Sequence, residues 1–169
     1  MTRSNARELA VHFVFEMGFS GQSAEELLDQ ALKRPVFESI GAEEPLYAQF
    51  PNAAQRQYIS ALVRGVEAHA GELDGYVSKY AIGWSIKRLP RVVLAILRVC
   101  MYEILYMQDV PNAAAINEAV ELTKHYEEPE LAGYVNGILG SFVRSEPLPQ
   151  ADDVCPAPDA FDDGEEVET

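Results

Sequence analysis

The chain has 169 residues, with 27 Asp and Glu against 13 Lys and Arg, and its formal net charge is −14 at pH 7. This length fits a single domain, with or without a tail, and allows folding without disulfides or metals. The acidic balance argues against a protein that coats DNA or RNA generally, because phosphates are bound by Lys and Arg. Cys100 and Cys155 are too few for a disulfide scaffold, so we expect reduced thiols in a cytoplasmic protein.

No membrane association is expected. The longest strongly apolar run, residues 92–97, is far shorter than the ~20 residues of a membrane span. Charged residues also interrupt the N-terminus where a secretory signal would have an apolar core.

The acidic charge is unevenly distributed. Residues 147–169 contain eight acids, four prolines and no Lys or Arg. Such a segment buries too little apolar surface to offset its ordering entropy, so a disordered acidic tail is predicted. Residues 1–146 hold the other 19 acids and all 13 bases, and they are predicted to be one domain with a net charge of −6.

Helical periodicity begins near the N-terminus. Apolar residues at helical spacing predict a first helix that Asn5 caps and Gly18 ends. Ser23 and Glu26 have the spacing of a capping box, which predicts the start of a second helix.

The middle of the chain is less regular. Residues 34–51 contain three prolines and are predicted to form a long connection with about one helical turn. Asn52 is predicted to begin a long helix that Gly71 separates from a shorter one.

The second half has the most apolar helix. Pro90 suits the first turn of a helix over residues 91–107, which is apolar on nearly every side and therefore predicted to be central. Asn112 is expected to cap the next helix, and Pro129 to open the last. The pattern predicts an all-α domain of about seven helices around a hydrophobic central helix.

No residue pattern indicates catalysis. His12, His69 and His125 lie on three different predicted helices and form no metal-ligand pair. Glu118 and Glu121 are neighbours on one helix, as a catalytic carboxylate pair would be. A solvent-exposed helix face explains them equally well. The glycines form no phosphate-binding motif. We therefore expect no enzyme activity, metal or cofactor.

The bases are clustered. Arg3 and Arg7 lie at the start of the first helix, and Lys87, Arg88 and Arg91 lie within five residues of one another. A small basic patch on an acidic protein indicates a localised anion site. Ordinary solubilising charge explains the same residues equally well.

Five segments, in this order and spacing, resemble the NusB family of bacterial transcription antitermination factors. They are ARELAVHFVF (6–15), AILRVCMYEI (95–104), DVP (109–111), INEAVELTK (116–124) and VNGIL (135–139). The resemblance runs from about Arg3 to Val143.

The resemblance implies an all-α fold of two packed helical subdomains. It also implies binding to boxA, a short single-stranded element of ribosomal RNA leaders, together with NusE, a ribosomal small-subunit protein that also acts in transcription. The pair would help RNA polymerase to resist premature termination. The same fold occurs in RNA cytosine methyltransferases, but no nucleotide-binding βαβ unit follows in this chain.

The resemblance implies which residues contact RNA. Ala6-Arg7-Glu8 matches the end of the family's N-terminal arginine-rich stretch, so Arg7 is the expected phosphate contact. Only Arg3 precedes it where relatives often have several arginines, so weak binding by the chain alone is expected. Tyr134 matches an aromatic residue near RNA and could stack on an unpaired base. Lys87, Arg88 and Arg91 lie next to this region, and we expect them to extend the RNA surface.

The resemblance also assigns three residues to the NusE contact. Phe15 matches an aromatic position there, although it lacks the tyrosine hydroxyl. Glu130 matches an acidic position, and Val93 replaces an acid that relatives often have, which alters one expected polar contact.

Other matched residues are expected to be structural. Arg98 lies in an apolar helix and should pair with a carboxylate or with carbonyl groups, and Glu103 and Glu118 are candidate partners. Asn117 and Asn136 are expected to be buried hydrogen-bonding residues.

Two alternatives to RNA binding with NusE stay open. The missing arginines, Val93 and the acidic tail also fit a protein-interaction module that has lost most of its RNA affinity. A homodimer that hides the RNA face is a further possibility.

Overall fold

The computed structural model describes residues 1–107 and 109–148. These residues form eight α-helices, two 3-10 helices and no β-strand, so the all-α prediction is confirmed with one helix more than expected. The α-helices are α1 (Arg3–Ser20), α2 (Ala24–Ala31), α3 (Arg34–Gly41), α4 (Ala53–Ala68), α5 (Ala70–Tyr80), α6 (Arg91–Tyr106), α7 (Asn112–Tyr126) and α8 (Pro129–Ser145). The 3-10 helices are Pro45–Tyr47 and Ile86–Arg88. The predicted acidic tail, beyond Leu148, lies outside the described residues.

Helix α1 is longer than the sequence predicts. Thr2, not Asn5, is its N-cap, and the Thr2 hydroxyl accepts a hydrogen bond from the Asn5 N–H at 3.1 Å. Both residue types can accept this bond, so the sequence pattern does not separate them. At the other end α1 continues past Gly18 to Ser20. Gly21 follows with φ of 67°, a left-handed conformation that glycine adopts without steric cost.

Two predicted helix starts are confirmed. Ser23 and Glu26 form a capping box, in which each side chain accepts a hydrogen bond from the other residue's backbone N–H. Asn52 forms the same arrangement with Gln55 at the start of α4, with both distances 2.9 Å. The break between α4 and α5 falls at His69, not at Gly71.

Residues 34–51 are more ordered than expected, because they contain α3 and a 3-10 helix. Pro35 lies in the first turn of α3, where its missing N–H costs no intrahelical hydrogen bond. Phe37 is fully buried, with its ring 4.8 Å from that of Tyr47 and 5.4 Å from that of Phe50. This aromatic cluster anchors a helix that local sequence alone does not predict.

Helix α6 is central, as predicted. It packs against α1, α4, α5, α7 and α8. The contacts of α6 therefore link helices from both halves of the chain.

Helices α1 and α6 run antiparallel. Arg7, near the start of α1, contacts Glu103 near the end of α6. Phe19, near the end of α1, contacts Arg91 at the start of α6. The order of these contacts decides which predicted site residues lie together.

Arg98 pairs with a carboxylate, as expected, but its candidate partners were wrong, and so was the expected burial of two asparagines. Arg98 pairs with Asp74 of α5, with two N–O distances of 2.7 and 2.8 Å, and not with Glu103 or Glu118. Those two carboxylates pair with Arg7 instead. Asn117 and Asn136 are both exposed.

None of the helices in the described part of the chain combines the length and the apolar character needed to cross a membrane.

Candidate functional site

Arg7 lies in a buried ion-pair network. Only 4% of the residue is exposed, and Glu103 is fully buried. Arg7 Nε and Nη2 donate to the two Glu103 carboxylate oxygens at 2.5 and 3.1 Å, and the Tyr58 hydroxyl donates to Glu103 at 2.9 Å. Arg7 Nη1 also lies 3.4 Å from Glu118. The guanidinium is therefore held inside the helical core.

The electrostatics of the network agree with a structural role. Burial by itself lowers the pKa of the Arg7 guanidinium, but hydrogen bonding to Glu103 and its charge outweigh burial and raise the pKa above its ordinary value. Burial and Glu103 also raise the pKa of the Tyr58 hydroxyl. This geometry argues against the expected phosphate contact of Arg7, because binding a phosphate would leave Glu103 as an unpaired buried charge.

Arg3 is also engaged by a carboxylate. Its Nη1 lies 3.0 Å from an Asp109 oxygen, and its guanidinium lies 5.3 Å from the centre of the Tyr58 ring. Arg3 is half-buried, so it is a weaker candidate for phosphate than its sequence position suggests.

The five predicted bases do not form one patch. Sixteen helical steps separate Arg3 from Phe19 along α1, a distance of about 24 Å. The Arg91 guanidinium lies 4.3 Å from the centre of the Phe19 ring. Arg3 and Arg7 are therefore near one end of the α1–α6 pair, and Arg91 is at the other.

Lys87 and Arg88 lie just before the start of α6, near Arg91. Both are exposed in the 3-10 helix just before α6. Among residues 1–107 and 109–148, no carboxylate forms an ion pair with Lys87, Arg88 or Arg91. These three cations, which we call the basic segment, remain available to an anionic partner.

Two aromatic residues lie beside the basic segment. Tyr134 of α8 is half-buried, and its ring centre is 5.7 Å from that of Trp84. The Tyr134 hydroxyl donates to the Ile82 carbonyl at 3.4 Å. The structure thus brings Tyr134 to the chain segment that carries Lys87 and Arg88, two residues that lie far from it in sequence.

An apolar pocket opens on the same end of the α1–α6 pair. Its cavity volume is about 480 Å³, and it is lined by Val11, His12, Phe15, Glu16, Phe19, Tyr47, Val92 and Tyr126. Phe15 and Phe19 are both exposed, and their ring centres are 4.9 Å apart. An exposed aromatic pair at a cavity is typical of a protein-docking surface.

Polar groups close one side of this pocket. His12 Nε2 and the Tyr126 hydroxyl form a hydrogen bond of 2.6 Å, and Tyr126 donates to Glu8. Burial lowers the pKa of His12 below its ordinary value of 6.5, although Glu8 and other carboxylates act in the opposite direction. Burial and then Glu16 raise the pKa of Tyr47 to about 12. This wall of the pocket is therefore made of the polar rings of His12, Tyr47 and Tyr126.

The other predicted partner contacts differ in accessibility. Val93 is fully buried, so its side chain cannot contact a partner; its neighbour Val92 lines the pocket instead. A valine fits at position 93 because this face of α6 lies against the core. Glu130 is exposed in the first turn of α8, one turn before Tyr134.

Sequence reasoning missed two features of this surface. Trp84 is exposed beside Tyr134, and Phe19 forms a pair with Phe15. The sequence did offer a signal for both features, because Trp84 lies in a loop and Phe19 lies near the end of α1. In the described part of the chain, no group of three His, Cys, Asp or Glu residues could hold a metal ion.

Comparison with known proteins gives the family. The model of the NusB family matches residues 4–144. A transcription antitermination protein NusB of Symbiobacterium thermophilum is 40% identical over 144 residues, which is 85% of this chain and 90% of that protein. One of Clostridium botulinum (strain Loch Maree) is 32% identical over 143 residues, covering 85% of this chain and all of the relative.

Solved structures share the fold. T. maritima NusB aligns with a TM-score of 0.72 at 24% identity, covering 86% of this chain and 93% of that one. A structure described as antitermination factors NusB and NusE in complex with double-stranded RNA aligns with a TM-score of 0.67 at 23% identity, covering 85% and 97%. From the matched span and the identities of its relatives, the chain belongs to the NusB family.

Proposed function

We propose that this chain is a transcription antitermination factor that binds boxA-type single-stranded RNA together with NusE, within an RNA polymerase complex. Relatives are named transcription antitermination protein NusB, and one structural neighbour is described as NusB and NusE in complex with double-stranded RNA, which supports antitermination as the role and RNA and NusE as the partners. A cytoplasmic location follows as a prediction from this role. The observation that carries the proposal is the meeting of unpaired cations, exposed aromatic rings and an apolar pocket at one end of the α1–α6 pair.

The RNA-binding part of this surface is the basic segment, Lys87, Arg88 and Arg91, together with Tyr134. These cations can bind phosphates without first breaking an ion pair within the described chain. Arg3 could add to the surface only if it released Asp109. With so few free cations, binding by the chain alone should be weak.

The NusE-binding part is the apolar pocket. Phe15 and Phe19 present an exposed aromatic edge, and Val92 continues the pocket wall. Glu130, exposed on α8, can supply a polar contact at the rim. Val93 would act only indirectly, by fixing the first turn of α6.

A gel shift with boxA RNA, with and without NusE, tests this proposal. We expect a weak shift with the chain alone and a stable ternary complex when NusE is added. A boxA sequence with scrambled bases is the control for specificity. Failure to retain RNA in either case would contradict the proposal.

A second function is favoured by the ion pairs of Arg3 and Arg7, which remove two cations from the predicted RNA surface. On this alternative the chain is a protein-interaction module with little RNA affinity. A complex with NusE that retains no RNA would support it. The homodimer stays a prediction that sedimentation with and without RNA can test.

A further inference from the structure

Trp84 is the only tryptophan of the chain, and it lies in the loop between α5 and α6. The residue is 44% exposed, and its neighbour Ile82 is 86% exposed. Gly83 between them has φ of 85°, a left-handed conformation that presents both side chains at a tight bend. Two large apolar side chains exposed in one loop indicate a contact surface.

Tyr134 of α8 contacts this loop at two residues, Ile82 and Trp84. Its hydroxyl is bound to the Ile82 carbonyl at 3.4 Å, and its ring packs at 5.7 Å and 46° from the Trp84 ring. Tyr134 also packs against the hydrophobic core, so it is half-buried. Of the two residues, Trp84 is therefore the more exposed to a ligand.

Charge next to the rings selects the kind of ligand. Lys87 and Arg88 are exposed three and four residues after Trp84, with no ion-pair partner in the described residues. Aromatic faces beside unpaired cations bind single-stranded nucleic acid, because the cations attract the backbone and the rings stack on unpaired bases. A duplex offers no unpaired base to such a ring.

We infer that Trp84 is the base-stacking residue of this surface and that Tyr134 positions it. The inference rests on the proposed RNA-binding function and changes its aromatic contact from Tyr134 to Trp84. The ligand is an unpaired base of single-stranded RNA.

The fluorescence of Trp84 tests this in the unmodified full chain. Titration with a single-stranded boxA RNA dodecamer should quench the emission saturably, because a stacked base contacts the indole ring. The same strand annealed to its complement should leave the emission almost unchanged. A tryptophan with a purely structural role would show no such difference.

Variants separate stacking from folding. Trp84→Ala should weaken RNA binding by about 5- to 150-fold, the range for one lost base stack, while Trp84→Phe should recover much of it. Tyr134→Phe keeps the ring but removes the bond to Ile82, so we expect less quenching with a smaller loss of affinity. Tyr106→Ala is the matched control, since Tyr106 is also 44% exposed but lies at the other end of α6.

The outcomes are distinguishable. RNA retention in a gel shift with unchanged Trp84 emission would overturn the role of Trp84 and leave the proposed function intact. Absence of RNA binding by both measures, with NusE present, would overturn both. If Trp84→Ala fails to fold, the titration of the unmodified chain still decides.

Discussion

The two ends of the α1–α6 pair carry arginines in opposite circumstances. At one end, Arg7 is bound to Glu103 and Glu118 in the core, and Arg3 to Asp109 at its edge. At the other end, Arg91 packs over Phe19 beside an apolar pocket and has no ion-pair partner in the described residues. The first end resembles the inside of a protein, whereas the second resembles an interface.

This difference shows that the pairing of an arginine, and not its position in a basic cluster, decides what it can bind. An arginine held by two carboxylates must break those bonds before it can bind a phosphate. An exposed one loses only hydration. The following experiments test whether the two ends divide stability and binding between them.

The largest effect is expected at Arg7. Arg7→Ala should lower the free energy of unfolding by about 3–5 kcal/mol, because it leaves Glu103 charged, buried and unpaired. Urea denaturation measures this. Arg64→Ala, which removes an exposed pair with Glu25, is the control and should cost at most ~1 kcal/mol. A stable Arg7→Ala protein with reduced RNA affinity would return Arg7 to the RNA surface.

Phe15 should matter for the partner and not for RNA. Phe15→Ala should weaken NusE binding by about 1.5–3 kcal/mol, the value of burying a phenylalanine side chain. Calorimetric titration with NusE measures this, and Tyr106→Ala is the control at the other end of α6. Equal losses for both variants would show that the pocket is not the docking site.

The basic segment should set the salt dependence of RNA binding. Three phosphate contacts predict a roughly 20-fold fall in affinity between 50 and 200 mM salt, and Lys87→Ala with Arg88→Ala should reduce that to about 3-fold. Filter binding at several salt concentrations gives the slope. If Arg3→Ala lowers the slope as much as a single change in the basic segment, both ends contact RNA.

The smallest effect is a pH dependence from His12. Because burial holds the pKa of His12 below 6.5, the unfolded chain binds this proton at a higher pH than the folded chain does. The free energy of unfolding should therefore fall as the pH drops below 6.5, and less so in His12→Gln. Urea denaturation at pH 7.5 and 5.5 measures the difference. Identical pH dependence in His12→Gln and the parent would exclude His12 as the cause.

Much of the fold was predictable because its signals are local. The capping boxes at Ser23 and Asn52 and the apolar run of α6 depend on residues close together in the chain. Helix α3 was missed because Phe37 is buried by Tyr47 and Phe50, whose contacts depend on the tertiary fold.

The candidate site was also predictable only where its signals are local in the sequence. The sequence alone determined that the charge is uneven, that the chain is all-α around α6, and that its motifs resemble the NusB family. Only the tertiary structure decided which bases are free. Ion pairing joins residues 96 positions apart, as in Arg7 and Glu103, and no local pattern specifies such a pair. The same long-range packing placed Tyr134 against the loop of Trp84, because helix packing and not sequence distance sets which side chains share a surface.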